Sequence, residues 1–247
     1  MSQLLIRNVS DTARWVAAYR ERETNRTEPL FRDPLAGRLA GERGRAIAAR
    51  ASIHSEWALV TRTKILDDLI LQAVAEGADC VLSLAAGFDT RPYRLALPPA
   101  LRWIEADLPE LIAEKEILLQ GERPVCQVTR EAVDLADPAA RAAFLKRAVG
   151  SARRALVITE GLVMYLDPGV VAGLAAALSG QPGITHWLLD FSSPAILKKV
   201  KETTGNRLAA APMIFAPPDG IAFFERHGWN VGRQSETSPC CLIIRGY

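Results

Sequence analysis

The sequence predicts an α/β fold in which a mostly parallel sheet of seven strands carries helices on both faces and ends in an antiparallel last strand. Three observations carry this expectation. Short apolar runs alternate with helical stretches from residue 80 onward, and parallel strands need such crossover helices to return the chain. The runs at Cys80–Leu84 and Ala155–Thr159 are almost wholly apolar, as strands buried on both faces are. The final two runs stand too close together to hold a helix between them, so they pair as a hairpin. At 247 residues the chain suits one large domain, residues 1–247.

Taken in order, Thr12 to Arg22 reads as a helix with Trp15, Val16 and Tyr19 on one apolar face. Glu28-Pro29 and Asp33-Pro34 then punctuate the chain, because the residue before proline is pushed out of the α region. Trp57 to Ala75 is a second helix, with Leu59, Leu66, Ile70 and Val74 on a broad apolar face and Gly77 just past its end. Residues 1–57 are therefore expected to form a helical N-terminal cap or lid, and 58–247 the core. Strands are expected at Cys80–Leu84, Arg102–Ala106, within Val125–Val133, at Ala155–Thr159 and at His186–Phe191. Helices Pro109–Leu119, Pro138–Ala148 and Pro168–Leu178 connect them, each opening on a proline where the missing N–H costs nothing. A helix over Asp219–Arg226 leads into the hairpin Trp229–Arg233 and Cys240–Arg245. Trp57, Trp103, Trp187 and Trp229 read as core or sheet-face residues.

Hydrophobic residues at 49% and charged residues at 23% exclude a disordered chain, a collagen-like repeat and a coiled coil. The 30 basic and 28 acidic residues leave +2, so no global field draws in nucleic acid or an anionic membrane. Arg38, Arg43, Arg45 and Arg50 read as a solvated helical face. No apolar run approaches the roughly 20 residues of a membrane helix, and Arg7 and Asp11 break any secretory signal. A cytoplasmic location is expected. Cys80, Cys126, Cys240 and Cys241 lack C-x-x-C spacing and are expected reduced. His54, His186 and His227 lack zinc-ligand spacing, so no metal is expected.

In an open parallel sheet, ligands sit beyond the carboxyl ends of the strands. That rule selects Gly87, then Glu105 and Asp107, then Asp134 and Leu135, then Glu160 and Gly161. Gly87 lets a ligand approach the backbone. Asp107 lies 20 residues further on, close to the offset at which an acid takes ribose hydroxyls, with Glu105 as its rival. Asp107-Leu108-Pro109-Glu110 is also a capping-box-like helix start. Asp134 suits an exocyclic adenine amine and Leu135 the ring, although Asp134 is also near the helix start that Asp137 is better placed to cap. The set has the shape of an adenosine pocket. Leu84 to Arg91 carries one glycine where a dinucleotide fingerprint needs three, and it lacks the Gly-Lys-Ser/Thr of a phosphate-binding loop. A nucleoside donor without phosphates, S-adenosylmethionine, fits better.

TRTKILDDLI, LSLAAGFDTRPYRL, WIEADLPELIAEK, EAVDLAD and TEGLVMYLDP resemble, in order, the motifs of the leucine carboxyl methyltransferase family, as do SDTARWVAAYRERET and LFRDPLAGRLAG. The likeness is strongest to its bacterial branch of polyketide O-methyltransferase-like proteins. It covers most of the chain and implies the Rossmann-like sheet of class I methyltransferases. By that resemblance Arg62 meets the carboxylate of S-adenosylmethionine, Gly87 lines it, Asp107 holds its ribose, Asp134 and Leu135 meet its adenine, and Glu160 sits near its amino group. The family's first motif is more glycine-rich than Ala85-Ala86-Gly87. The stretch from Asp190 to Pro218 is short, so a reduced substrate-covering insertion is expected.

Arg20, Tyr19 and Tyr165 are candidates near the acceptor, and Arg91 and Tyr93 either face it or lie on a loop surface. The expected reaction is methyl transfer to an oxygen of a small molecule, giving S-adenosylhomocysteine and an ester or ether, with acceptors including polyketide-like natural products. A carboxylate needs no general base, whereas a hydroxyl does, for which Tyr165 and His54 are the weak candidates. An NAD-dependent oxidoreductase and a non-catalytic donor-binding domain are the alternatives. The oligomeric state stays open.

Overall fold

The computed structural model describes residues 6, 8–50, 53–204, 211–234 and 241–246. Helices α1 (Val9–Thr24) and α2 (Ala36–Ala48) pack together ahead of α3 (Ile53–Ala75). The core then runs β1 (Cys80–Leu84), α4 (Arg91–Arg94), β2 (Arg102–Asp107), α5 (Pro109–Leu118), β3 (Gln127–Ala132), α6 (Pro138–Val149), β4 (Ala155–Thr159), α7 (Pro168–Ser179), β5 (Ile184–Asp190), α8 (Pro194–Thr204), α9 (Ala222–Glu225), β6 (Trp229–Gln234) and β7 (Cys241–Gly246). A single 3-10 turn, Val163–Tyr165, follows β4.

The strands form one sheet in the order β3-β2-β1-β4-β5-β7-β6. The pairs from β3 through β5 are parallel, and β7 runs antiparallel to both β5 and β6. Every residue of β1 and β4 is buried, because helices cover both faces of these central strands. On one face Cys80, Leu82 and Leu84 meet Phe144 and Leu145 of α6, Val171 and Leu174 of α7, and Phe224 of α9. On the other, Val81 meets Leu66 and Ile70 of α3. The cap has its own core, in which Ala17, Ala18 and Tyr19 pack with Leu39 and with Phe88 and Leu111 from the sheet domain. Among the described residues no helix is long and apolar enough to cross a membrane.

Several elements differ from expectation for identifiable reasons. Helix α3 begins at Ile53, so the 57/58 boundary falls inside a continuous helix. Only Ala222–Glu225 of the stretch read as helix 219–226 is helical. Helix α8 has no counterpart among the expected elements, and α2 is expected only as the helical face that carries Arg38, Arg43 and Arg45. Within α2, Gly41 has φ +56, and Gly44 lets the helix approach α1 so closely that a Cβ there would lie 2.5 Å from the Arg14 carbonyl oxygen. Trp103, Trp187 and Trp229 are fully buried, but Trp57 is 44% exposed and lies under the Arg26 guanidinium. The arginines read as a solvated face are in large part paired, with Arg43 to Asp11, Arg45 to Glu21 and Arg38 to Glu122.

Candidate active site

The strand order reverses at β1, whose chain proceeds outward to β2 and β3 and then returns to β4 on its other side. Such a reversal opens a crevice at the carboxyl ends of the strands. Here it is a cavity of about 600 Å³, walled by those strand ends and by residues of α1 and α3.

Gly87 leaves β1 with φ +47, a conformation that favours glycine. Its amide donates to Asp107 Oδ2 at 2.6 Å, while the Leu108 amide donates to Oδ1 at 2.8 Å. Asp107 is thus tied to both loops and lines the cavity. It does not cap α5, whose N-cap residue is Leu108 without a side-chain bond. Burial raises the Asp107 carboxyl above its ordinary value, against the pull of the two amide bonds. Glu105, the rival, is fully buried outside the cavity wall, within 2.8 Å of Arg130 and 2.9 Å of Lys115. Asp134 and Leu135 line the cavity past β3. Asp137 caps α6 through the Ala139 amide at 2.8 Å, which leaves Asp134 to accept only the local Ala136 amide at 2.9 Å. Ala85, also in the wall, has φ +56 and is the one non-glycine residue with positive φ among the described residues.

Beneath this rim lies a set of buried ion pairs. Glu160 Oε1 accepts from Arg62 Nε at 2.9 Å and Oε2 from Arg91 Nη1 at 2.7 Å. Burial alone pushes Glu160 upward, but the guanidinium charges of Arg91 and Arg62 outweigh it and hold the carboxyl at about 2. Arg62 also donates to Asp190 Oδ2 at 2.7 Å, and Asp190 Oδ1 accepts the Gly161 amide at 2.6 Å. Burial raises Asp190 despite Arg62. Arg91 is 2% exposed and bonds Asp67 and Asp89 as well as Glu160. Burial works against its charge, yet those three carboxylates carry it well above its ordinary value. Arg91 therefore neither faces an acceptor nor lies on a loop surface. Tyr93 accepts a 2.7 Å bond from Arg130.

Arg20 lines the cavity and latches the cap to the sheet domain, donating from Nε to Asp33 at 2.8 Å and from Nη2 to the Phe88 carbonyl at 2.5 Å. Tyr165 also lines it, in the 3-10 turn, with a hydroxyl raised by burial against the nearby Arg62 charge. Tyr19 is placed elsewhere: it is 1% exposed, packs in the cap core against Trp15, and is not part of the cavity wall. His54 stands in the first turn of α3, and its side chain lies outside the described residues. Of the proposed residues, Arg20, Arg62, Gly87, Asp107, Asp134, Leu135, Glu160, Gly161 and Tyr165 share this wall. Asp190 was missed, although the strand-end rule applied to the fifth strand selects it. The stretch after Asp190 does cover the site, through Val200 of α8 and Met213.

Comparison with known proteins agrees with this fold. The profile of the leucine carboxyl methyltransferase family matches residues 13–179. A Frankia alni protein, provisionally named an S-adenosyl-L-methionine-dependent methyltransferase, is 32% identical over 241 residues, covering 89% of this chain and 82% of its own. A similarly named Streptomyces coelicolor protein is 33% identical over 235 residues with the same coverage. In fold, the chain is similar to a provisionally named methyltransferase of Thermobifida fusca, with TM-score 0.66 at 16% identity over 99% of this chain and 96% of that one. With two thirds of the chain inside the family profile and its relatives aligned nearly end to end, the chain belongs to the leucine carboxyl methyltransferase family.

Proposed function

We propose that this chain binds S-adenosylmethionine in the strand-end cavity and transfers its methyl group to an oxygen of a small acceptor, most simply a carboxylate. The observation that carries the reading is Asp107, a buried carboxylate held by the Gly87 and Leu108 amides and presented to a cavity of about 600 Å³. That volume is in the range of ligand pockets, and a carboxylate accepts from vicinal hydroxyls but repels a phosphate. In this reading Asp134 and Leu135 on the next strand end meet the adenine, Arg62 the donor's carboxylate and the ionised Glu160 its ammonium; all four line the cavity.

When bound, the donor supplies a methyl group on a sulfonium, an activated leaving group. The residues of this chain then have to hold the acceptor oxygen in line and keep water away. Trp15, Val16 and Arg20 of α1 stand over the cavity and serve the second purpose. Among the described residues of the wall, Glu160 is too acidic to act as a base at neutral pH, and burial keeps the Tyr165 hydroxyl protonated. A carboxylate acceptor, already ionised, needs neither. The reading extends to polyketide-like acids and to a cytoplasmic enzyme acting on small molecules, with neither nucleic acid nor membrane as partner.

Isothermal titration of S-adenosylmethionine and S-adenosylhomocysteine into the wild type and Asp107→Ala, with NAD as control, tests the donor site. Binding of both by the wild type, weakened at least tenfold in the variant, is expected. Binding of NAD in their place sinks the proposal.

A further inference from the structure

The cavity has two unlike halves. Its formally charged wall residues belong to α1, α3 and the ends of β1 to β4. Past Glu160 the described wall includes Leu162, Met164, Tyr165, Leu166, Val200 and Met213. Among these described residues no side chain carries a charge at neutral pH, and the phenol is the single polar group. The Met164 carbonyl accepts from the Ile214 and Phe215 amides at 2.8 and 3.1 Å, so the segment carrying Met213 is pinned against the turn after β4. Helix α8 presents Leu197 and Val200, one turn apart, inward, whereas Lys198 is exposed.

We infer that the acceptor carries an extended apolar body, alkyl or aromatic, behind its methyl-accepting oxygen, and that Val200 and Met213 select for that body. The inference rests on the donor reading above and narrows its acceptor. A stretch of wall whose described side chains carry no charge offers a second carboxylate, sugar hydroxyl or phosphate on the acceptor no ionic partner there, which costs binding. An apolar body instead gains with each methylene buried. At about 0.8 kcal/mol per methylene, and 1.36 kcal/mol per tenfold in rate, kcat/KM should rise about fourfold per carbon.

The test measures S-adenosylhomocysteine formation with straight-chain alkanoates from acetate to decanoate, 1-naphthoate, and the polar acids succinate and gluconate. Titration of the same acids into the protein saturated with S-adenosylhomocysteine gives a readout independent of turnover. The expected result is a rise of about fourfold per methylene until the apolar half is filled, with little from the polar acids. Val200→Asp and Met213→Glu should each lower kcat/KM for decanoate at least tenfold, a larger loss than in donor affinity, whereas Val200→Leu should lose much less. A flat series, a preference for succinate, variants indifferent to the new charge, or donor binding with no acid bound or turned over overturns the inference. Failure of the wild type to bind the donor overturns the donor reading instead.

Discussion

The protein carries two sets of ion pairs that differ in almost everything but chemistry. In the cap, Arg43–Asp11 and Arg45–Glu21 join α2 to α1 at 2.6 and 2.7 Å, and the arginine side chains are 34% and 50% exposed. Around the strand ends, Arg62, Arg91, Glu160, Asp67 and Asp190 make contacts of 2.7 to 2.9 Å with side chains no more than 17% exposed. Similar distances do not mean similar energies. An exposed pair is screened and costs side-chain entropy, so it contributes little. A buried group that loses its partner is left as a charge in a poorly solvating interior. The first set tunes how the cap sits, whereas the second fixes the shape of the donor site.

Glu160→Gln should give the largest effect. It leaves Arg62 and Arg91 facing an uncharged amide, and loss of one partner of a buried pair typically costs about 3–5 kcal/mol. Urea denaturation measures this, and a loss under 1 kcal/mol would show the network to be well solvated. The same variant has a pH signature. The folded Glu160 carboxyl is held at about 2, and an unfolded glutamate titrates at about 4.3. Between these values the unfolded chain takes up the proton first, so this contribution is complete above about pH 4.3 and fades as pH falls toward 2. The wild type should therefore lose more stability over that interval than Glu160→Gln.

Ala85→Gly should act in the opposite direction. A left-handed non-glycine residue costs about 1–2 kcal/mol, from which the greater freedom of glycine in the unfolded chain takes back about 0.4–1. A net gain of about 0.5–1 kcal/mol, read as a higher Tm, is expected. A lower Tm would mean that the packing of the methyl group outweighs the strain. Arg45→Ala should give the smallest change, within about 0.5 kcal/mol and shrinking further at high salt. A larger, salt-independent loss in thermal melts would erase the contrast between the two regions.

Much of this was legible in the sequence where one residue's role depends on its neighbours in the chain. The strands β1, β2, β4 and β5 stand out as apolar runs; Gly87, Asp107 and Glu160 follow from the ends of β1, β2 and β4, and Asp134 and Leu135 from that of β3. What escaped depends on distant partners. Arg91 reads as a loop charge until the fold brings Asp67 and Glu160 to it. Tyr19 and Trp15 share an apolar helix face, yet Trp15 lines the cavity while Tyr19 turns into the cap core. The need for Gly44 in α2 is likewise invisible in the sequence, because the approach of Arg14 that calls for it is a tertiary fact.

The pairs that frame the donor site also span long stretches of chain: 128 residues for Arg62–Asp190, 98 for Arg62–Glu160 and 69 for Arg91–Glu160. Loops of that size close only after intervening elements have formed, since their entropy is lost before the contact rewards it. The site is therefore expected to assemble late, so that a ligand seated on it meets a chain largely committed to its fold. Such a ligand should slow unfolding and leave the refolding rate unchanged, so that bound donor acts on the lifetime of the native protein and has no part in its birth.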